Sequence, residues 1–141
     1  MVVALKRRFP NGGPLVRDPS DNATAIFRRR VAAGKALSVA LLSIGLRRLV
    51  EASGFAVNAG FSGFSTFGAV PYAKEFDAFL AAPGPRHMIM CHPGLPDEEL
   101  GDRDSIRHRR GEEHQVLATR EDIPGLIWRP NRATDATGFP W

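Results

Sequence analysis

The sequence predicts an α/β fold with parallel strands, and three observations carry that expectation. Short apolar runs that read as strands alternate with longer segments of helical spacing. The run Met88-Ile89-Met90 is short enough for a buried strand and leads directly into Cys91-His92-Pro93-Gly94, whose Pro-Gly pair turns the chain. Strand–helix alternation of this kind favours parallel pairing through right-handed crossovers.

Taken in order, Met1 to Phe9 reads as a short helix end, stopped by the turn cluster Pro10-Asn11-Gly12-Gly13-Pro14. Leu15-Val16-Arg17 is a brief strand candidate, and Asp18-Pro19-Ser20-Asp21 forms a polar loop at its C-terminal edge. Ala25 to Ser53 is the main helical region, with a break expected near Gly34. Within it Leu37, Leu41, Ile44, Leu46, Leu49 and Val50 keep mostly to one side at helical spacing, while Arg47, Arg48 and Glu51 take the wetter side. Gly54 is placed to stop that helix.

Phe55-Ala56-Val57 is the next strand candidate, followed by a Gly-Phe loop. A helix from about Tyr72 to Leu80 puts Phe76, Phe79 and Leu80 at core spacing. The strand Arg86 to Cys91 comes next. Helices at about Ser105 to Leu117 and Glu121 to Ile127 complete the regular part, with Thr119 as the expected N-cap of the last. The sequence therefore divides into one domain, residues 1–127, and a loose tail, residues 128–141, which lacks periodicity.

Composition excludes several classes of function. The chain carries 43% hydrophobic and 24% charged residues, ordinary values for a folded domain. A net charge of +4 invites a nucleic-acid reading, but the basic residues are mostly arginines scattered among acids. No zinc-finger, RNP or basic-zipper pattern accompanies them, so no nucleic-acid partner is expected. The single cysteine excludes an internal disulfide and suits a reducing cytoplasm, the expected location. The most apolar segment, Ala36 to Leu46, is far below the ~20 residues a membrane span needs. No signal-peptide pattern opens the chain.

The chemistry concentrates at the mouth of the Arg86–Cys91 strand. His92 stands where α/β folds usually assemble their sites, either as a catalytic group or as a cap bonded to backbone. Adjacent strand residues point to opposite faces, so Cys91 should diverge from His92 and serve packing. Arg17, just after another strand, could stabilise negative charge or hold substrate. It could equally form an ordinary ion pair with Asp18 or Asp21. In the loop Asn58 to Phe67, glycines and serines sit among Phe61, Phe64 and Phe67, which suits a wall for a sugar or apolar ligand. The binding role is expected of Phe61 and the core role of Phe67. His87, His108 and His114 lack spacing for joint metal ligation, and no metal site is expected from this chain alone, even with Asp97 beside His92.

Residues Pro83 to Gly94 followed by Asp97-Glu98-Glu99-Leu100 resemble the C-terminal signature of the ChbG/HpnK (YdjC-like) carbohydrate deacetylases. Asn58-Ala59-Gly60-Phe61-Ser62-Gly63-Phe64-Ser65 is similar to that family's Gly-Phe-rich active-site loop, closest to the branch associated with hopanoid biosynthesis. Arg109-Arg110 with Glu113 and Leu117 resembles the helix that follows, from which Gly111 and His114 depart. The resemblance runs from Met1 to about Ile127.

This resemblance implies a metal-dependent hydrolase on an irregular β/α barrel that releases acetate from N-acetylated amino sugars or glycolipids. His92 would then be the acid or would orient the tetrahedral intermediate, with Arg17 and Phe61 at the substrate. A divalent metal, Mg or Zn, would be the cofactor of the complete fold. Its expected ligands are an Asp-Asp-Phe-Gly-like motif and a His-x-His pair, and neither occurs in the 141 residues. The chain is therefore expected to correspond to the C-terminal half of such an enzyme, the family's N-terminal half being absent. It would be inactive alone and either self-associating as a homo-oligomer or complemented by the other half. The competing reading is a non-catalytic remnant or interaction module.

Overall fold

The computed structural model describes residues 2–10, 13–84, 86–95, 104 and 106–127. The expected tail, residues 128–141, and the acidic stretch containing Asp97 lie outside the described residues.

A helix, α1 (Val2–Arg8), opens the described chain and ends at Pro10, as the turn cluster requires. The main helical region is three helices rather than one or two: α2 (Ala23–Arg29), α3 (Ala33–Leu42) and α4 (Leu46–Ala52). Asn22 caps α2, its side-chain oxygen accepting the N–H of Ala25 at 2.8 Å. The expected break at Gly34 comes earlier, because Arg30 and Ala32 adopt left-handed conformations with φ of 59° and 45°. Gly34 itself lies inside α3. A second break falls at Gly45, whose φ of 86° glycine accommodates without strain.

The strand expectation holds in direction and shifts in position. Val16 and Val57 form an isolated parallel bridge, with the Val16 N–H donating to Ala56 O at 2.9 Å. The regular ladder is β1 (Gly60–Ser62) against β2 (His87–Ile89), also parallel, with Phe61 opposite Met88. It is extended by the N–H of Met90 donating to Ser62 O at 2.9 Å. The strand expected at Phe55–Val57 is thus only a bridge, and its continuation occupies what reads in sequence as loop. Gly60 makes the displacement possible. A Cβ there would stand 2.5 Å from His87 Nδ1, so glycine leaves room for the His87 ring on the neighbouring strand.

Helix α5 (Tyr72–Phe79) follows β1, and α6 (Arg107–Thr119) and α7 (Ile123–Leu126) follow β2. Thr119 does not cap α7. Its hydroxyl donates to Gln115 O at 2.8 Å inside α6, and Asp122 takes the N-cap position without a side-chain bond.

Two apolar clusters hold these elements. Val16, Val50, Phe55 and Val57 pack with Leu5 and Leu46 around the bridge. Tyr72, Phe76 and Phe79 pack with Ile89, Cys91 and Leu117, joining α5 and α6 to one face of β2. The apolar side expected along α3 and α4 is only partly used. Val50 is fully buried, whereas Leu41, Leu42, Ile44 and Leu49 are exposed, Leu42 by 88%. The left-handed residues at 30, 32 and 45 redirect the helices, so a continuous stripe in sequence is not continuous in space. Mixed helices with a small parallel sheet make the fold α/β. No helix among the described residues is long and apolar enough to cross a membrane.

Candidate functional site

Three parallel segments end on the same side, and Arg17, Phe61 and Met90 meet there. The Arg17 guanidinium lies over the Phe61 ring, 5.9 Å from its centroid, and Arg17 Nη1 is 3.7 Å from the Met90 sulfur. Arg17 makes an ion pair with neither Asp18 nor Asp21 among the described residues. Asp18 pairs with Arg47 at 3.2 Å and Asp21 with Arg29 at 2.7 Å. The exposed Arg17 side chain is therefore held by an aromatic face instead of a carboxylate.

His92 follows Met90 by two residues at that same end, and its side chain is exposed. Its backbone is fixed from α6. The His92 N–H donates to Glu113, a buried carboxylate, and Arg110 Nη1 donates to His92 O at 3.4 Å. The Gly94 N–H donates in turn to Arg110 O at 3.2 Å. Cys91 points the other way, as strand alternation requires, and accepts a hydrogen bond from the Tyr72 hydroxyl at 3.3 Å. Burial pushes the Cys91 thiol up, the Tyr72 bond offsets part of this, and the Glu113 carboxylate adds to it. Burial above all also raises Tyr72. This pair packs the core and carries no activated nucleophile.

The Gly-Phe loop is clamped by Glu75, fully buried on α5. Its carboxylate accepts from Ser65 Oγ at 2.7 Å, from the Thr66 N–H at 2.9 Å and from the Thr66 hydroxyl. Arg109, also fully buried, stands 3.8 Å away and donates to Val70 O at 2.7 Å. The burial of the aromatic residues reverses the sequence expectation: Phe61 is 2% exposed and packs against Phe64 at 5.4 Å, whereas Phe67 is 42% exposed. Phe61 is thus the buried support beneath Arg17, and Phe67 is the aromatic surface.

Beneath the mouth lies a dense polar layer. Asn58 and Asp18 are joined by two bonds of 2.8 Å: the Asp18 N–H donates to Asn58 Oδ1 and Asn58 Nδ2 donates to Asp18 O. Arg29 is fully engaged by Asp21, Phe61 O, Ala81 O and Ala82 O. His87 Nε2 bonds Ser62 Oγ at 2.9 Å, while buried His87 Nδ1 finds no hydrogen bond among the described residues and stands 4.0 Å from Asp21 Oδ2. Burial first, then Arg29, lowers the His87 pKa, with Asp21 opposing.

Sequence reading gave no role to Glu75 or Arg29, and it named Asn58 and Glu113 only as parts of resembled motifs. Two of these carried a signal. Glu75 shares a helical face with Tyr72, Phe76 and Phe79, and Glu113 shares one with Val116 and Leu117. A carboxylate on an apolar face must find buried partners. Nothing local marked Arg29.

The sequence profile of the family described as "YdjC-like protein" matches residues 2–121. The chain belongs to the YdjC-like family. No curated protein and no solved structure matches it. The match covers every element from α1 to α6, so the mouth at Arg17, Phe61 and His92 falls wholly within the YdjC-like region. The divalent metal expected of the complete YdjC-like fold does not fit a ligand set here. Among the described residues no three His, Cys, Asp or Glu side chains converge to hold an ion. His87 is committed to Ser62, and the His92 neighbourhood offers Asp104, itself bonded to Arg110.

Proposed function

We propose that this chain supplies the proton-transferring and substrate-holding side of a carbohydrate N-deacetylase, of the ChbG/HpnK type and the hopanoid-associated branch. The reaction is amide hydrolysis: water adds to the acetyl carbonyl, the C–N bond breaks, and acetate and a free amino sugar leave. His92 donates the proton that the leaving amine needs, a contribution of ~10²–10⁴-fold for a positioned acid. Arg17 faces the developing negative charge or an anionic part of the substrate, its guanidinium oriented by the Phe61 ring. Three parallel strand segments belong, in this reading, to an irregular β/α barrel whose divalent-metal ligands lie outside the described residues.

The observation that carries the proposal is the family match over residues 2–121 together with an exposed His92 whose backbone is fixed by Glu113 at a strand's C-terminal mouth. The 141 residues contain neither Asp-Asp nor His-x-His, so by themselves they should not release acetate. Incubating the chain with N-acetylglucosamine oligomers or N-acetylated glycolipids and added Mg or Zn tests this. Adding the segments that carry those motifs should bring acetate release. Turnover by the 141 residues alone would overturn the division of labour.

The alternative, a non-catalytic module, is favoured by one observation: Leu41, Leu42, Ile44 and Leu49 form an exposed apolar corner between α3 and α4. It predicts no acetate release even from the complemented protein.

A further inference from the structure

Phe67 combines exposure with a backbone conformation that an aromatic residue rarely takes. Its φ is 55°, in the left-handed region, and 42% of the residue faces solvent. Such a conformation persists only where the surroundings over-determine it, and positions of this kind gather at ligand-contacting sites. The surroundings here are polar and buried. The Phe67 N–H donates to Ser65 Oγ at 3.0 Å, and Ser65 Oγ donates to the buried Glu75 carboxylate at 2.7 Å. The Thr66 N–H reaches the same carboxylate at 2.9 Å. A buried carboxylate thus turns a phenylalanine outward.

The ring also stands in line with the mouth. Lys35 Nζ, itself exposed, lies 4.8 Å from the centroid of the Phe67 ring and 5.7 Å from that of Phe64. Phe64 packs on Phe61 at 5.4 Å, and Phe61 carries the Arg17 guanidinium at 5.9 Å. A row of cations and rings therefore runs from Arg17 to Phe67. A pyranose ring offers a flat C–H face to an aromatic side chain and hydroxyl oxygens to an ammonium donor, so Phe67 with Lys35 matches one saccharide unit. A purely apolar chain would use the ring and leave the ammonium without an acceptor. Phe61 and Phe64 lie between Phe67 and Arg17, so the unit at Phe67 is not the one held at the mouth.

We propose that Phe67 and Lys35 form a stacking platform for a saccharide ring of the substrate other than the ring whose acetamide is cleaved. The choice of a saccharide rests on the deacetylase reading. Glu75 holds the platform in its binding conformation before the ligand arrives, which lowers the ordering cost of binding.

Calorimetric titration of the full chain with an N-acetylglucosamine tetramer reads the platform without requiring turnover. The parent should bind, and Phe67→Asn should bind about tenfold more weakly, the factor that ~1.4 kcal/mol gives. Asparagine enters the left-handed region readily, so the urea midpoint of Phe67→Asn should stay level or rise. Phe67→Tyr keeps the ring and should keep the affinity. Absence of tetramer binding by the parent would overturn the proposal, and so would equal affinity in Phe67→Asn. A weaker Phe67→Asn whose urea midpoint also falls would make Phe67 a structural residue and overturn it as well. The deacetylase reading fails separately: binding that depends on Phe67, with no acetate released once the metal-ligand segments are supplied, would sink that reading and leave the platform standing.

Discussion

The Glu113 carboxylate accepts the backbone N–H of His92, and the imidazole it positions stays exposed. With Arg110 donating to His92 O and receiving the N–H of Gly94, one helix fixes both sides of the Pro93 turn. A bond to a charged acceptor is roughly twice as strong as a neutral one, so α6 sets the register of the mouth.

Glu113→Ala removes that acceptor and leaves a half-buried N–H unpaired. The expected cost is ~1–3 kcal/mol, read by urea denaturation. Glu113→Gln keeps a carbonyl oxygen at the site and should lose less. Equal losses from both would mean the carboxylate's charge, rather than its position, is what matters.

Glu75 gathers Ser65, Thr66 and Arg109 in the interior. Glu75→Ala should destabilise the chain by ~3–5 kcal/mol, because it leaves Arg109 buried with less compensation. Proteolysis within residues 63–70 should become faster at the same time. A mild loss with unchanged cleavage would show that the loop is held by its phenylalanines instead.

Gly63 has a φ of 111°, and a Cβ there would stand 2.3 Å from Met90 O. The Met90 oxygen belongs to the backbone, so it cannot yield cheaply. Gly63→Ala should cost ~2 kcal/mol or more, through a strained backbone and a broken Met90–Ser62 bond. Hydrogen exchange at the Met90 amide would detect the second effect even if the chain stays folded.

His87 makes stability depend on pH. Its folded pKa lies below the ordinary histidine value of 6.5, because burial and the Arg29 charge disfavour the imidazolium, with Asp21 partly opposing. The unfolded chain therefore binds more protons as pH falls below 6.5, and stability declines until the folded pKa is passed. Above that window the contribution is complete. Urea midpoints between pH 8 and pH 5 should fall on the acid side, and His87→Gln should flatten the decline. A parallel slope in the variant would assign the effect to other groups.

The corner between α3 and α4 exposes Leu41, Leu42 and Ile44 together. The chain should self-associate with rising concentration in sedimentation velocity, and Leu42→Glu with Ile44→Glu should weaken that association. A monomer at all concentrations would remove the expectation.

The direction of the strands and the identity of the helices were legible because apolar spacing and turn residues are local signals. Val16, Val57 and Met88 to Cys91 show this, and so do Phe76 and Phe79 on α5. What escaped was set by distant contacts. The shift of β1 to Gly60–Ser62 depends on His87 packing where a Cβ would stand. The breaks at Arg30 and Ala32 place ordinary residues in left-handed conformations that no propensity foretells. Arg17 reaches Met90, two residues before His92, while Phe61 and Phe67 exchange burial, because β1 runs on into the loop and draws Phe61 inward.

The most direct test of the His92 assignment is acetate release from an N-acetylglucosamine oligomer by the protein carrying the metal-ligand segments, compared with its His92→Ala variant. Loss of a positioned acid should lower turnover by ~10²–10⁴-fold, with metal content and thermal stability unchanged. A His92→Ala variant that turns over at the parent rate would contradict the assignment and leave His92 as a capping residue of its strand.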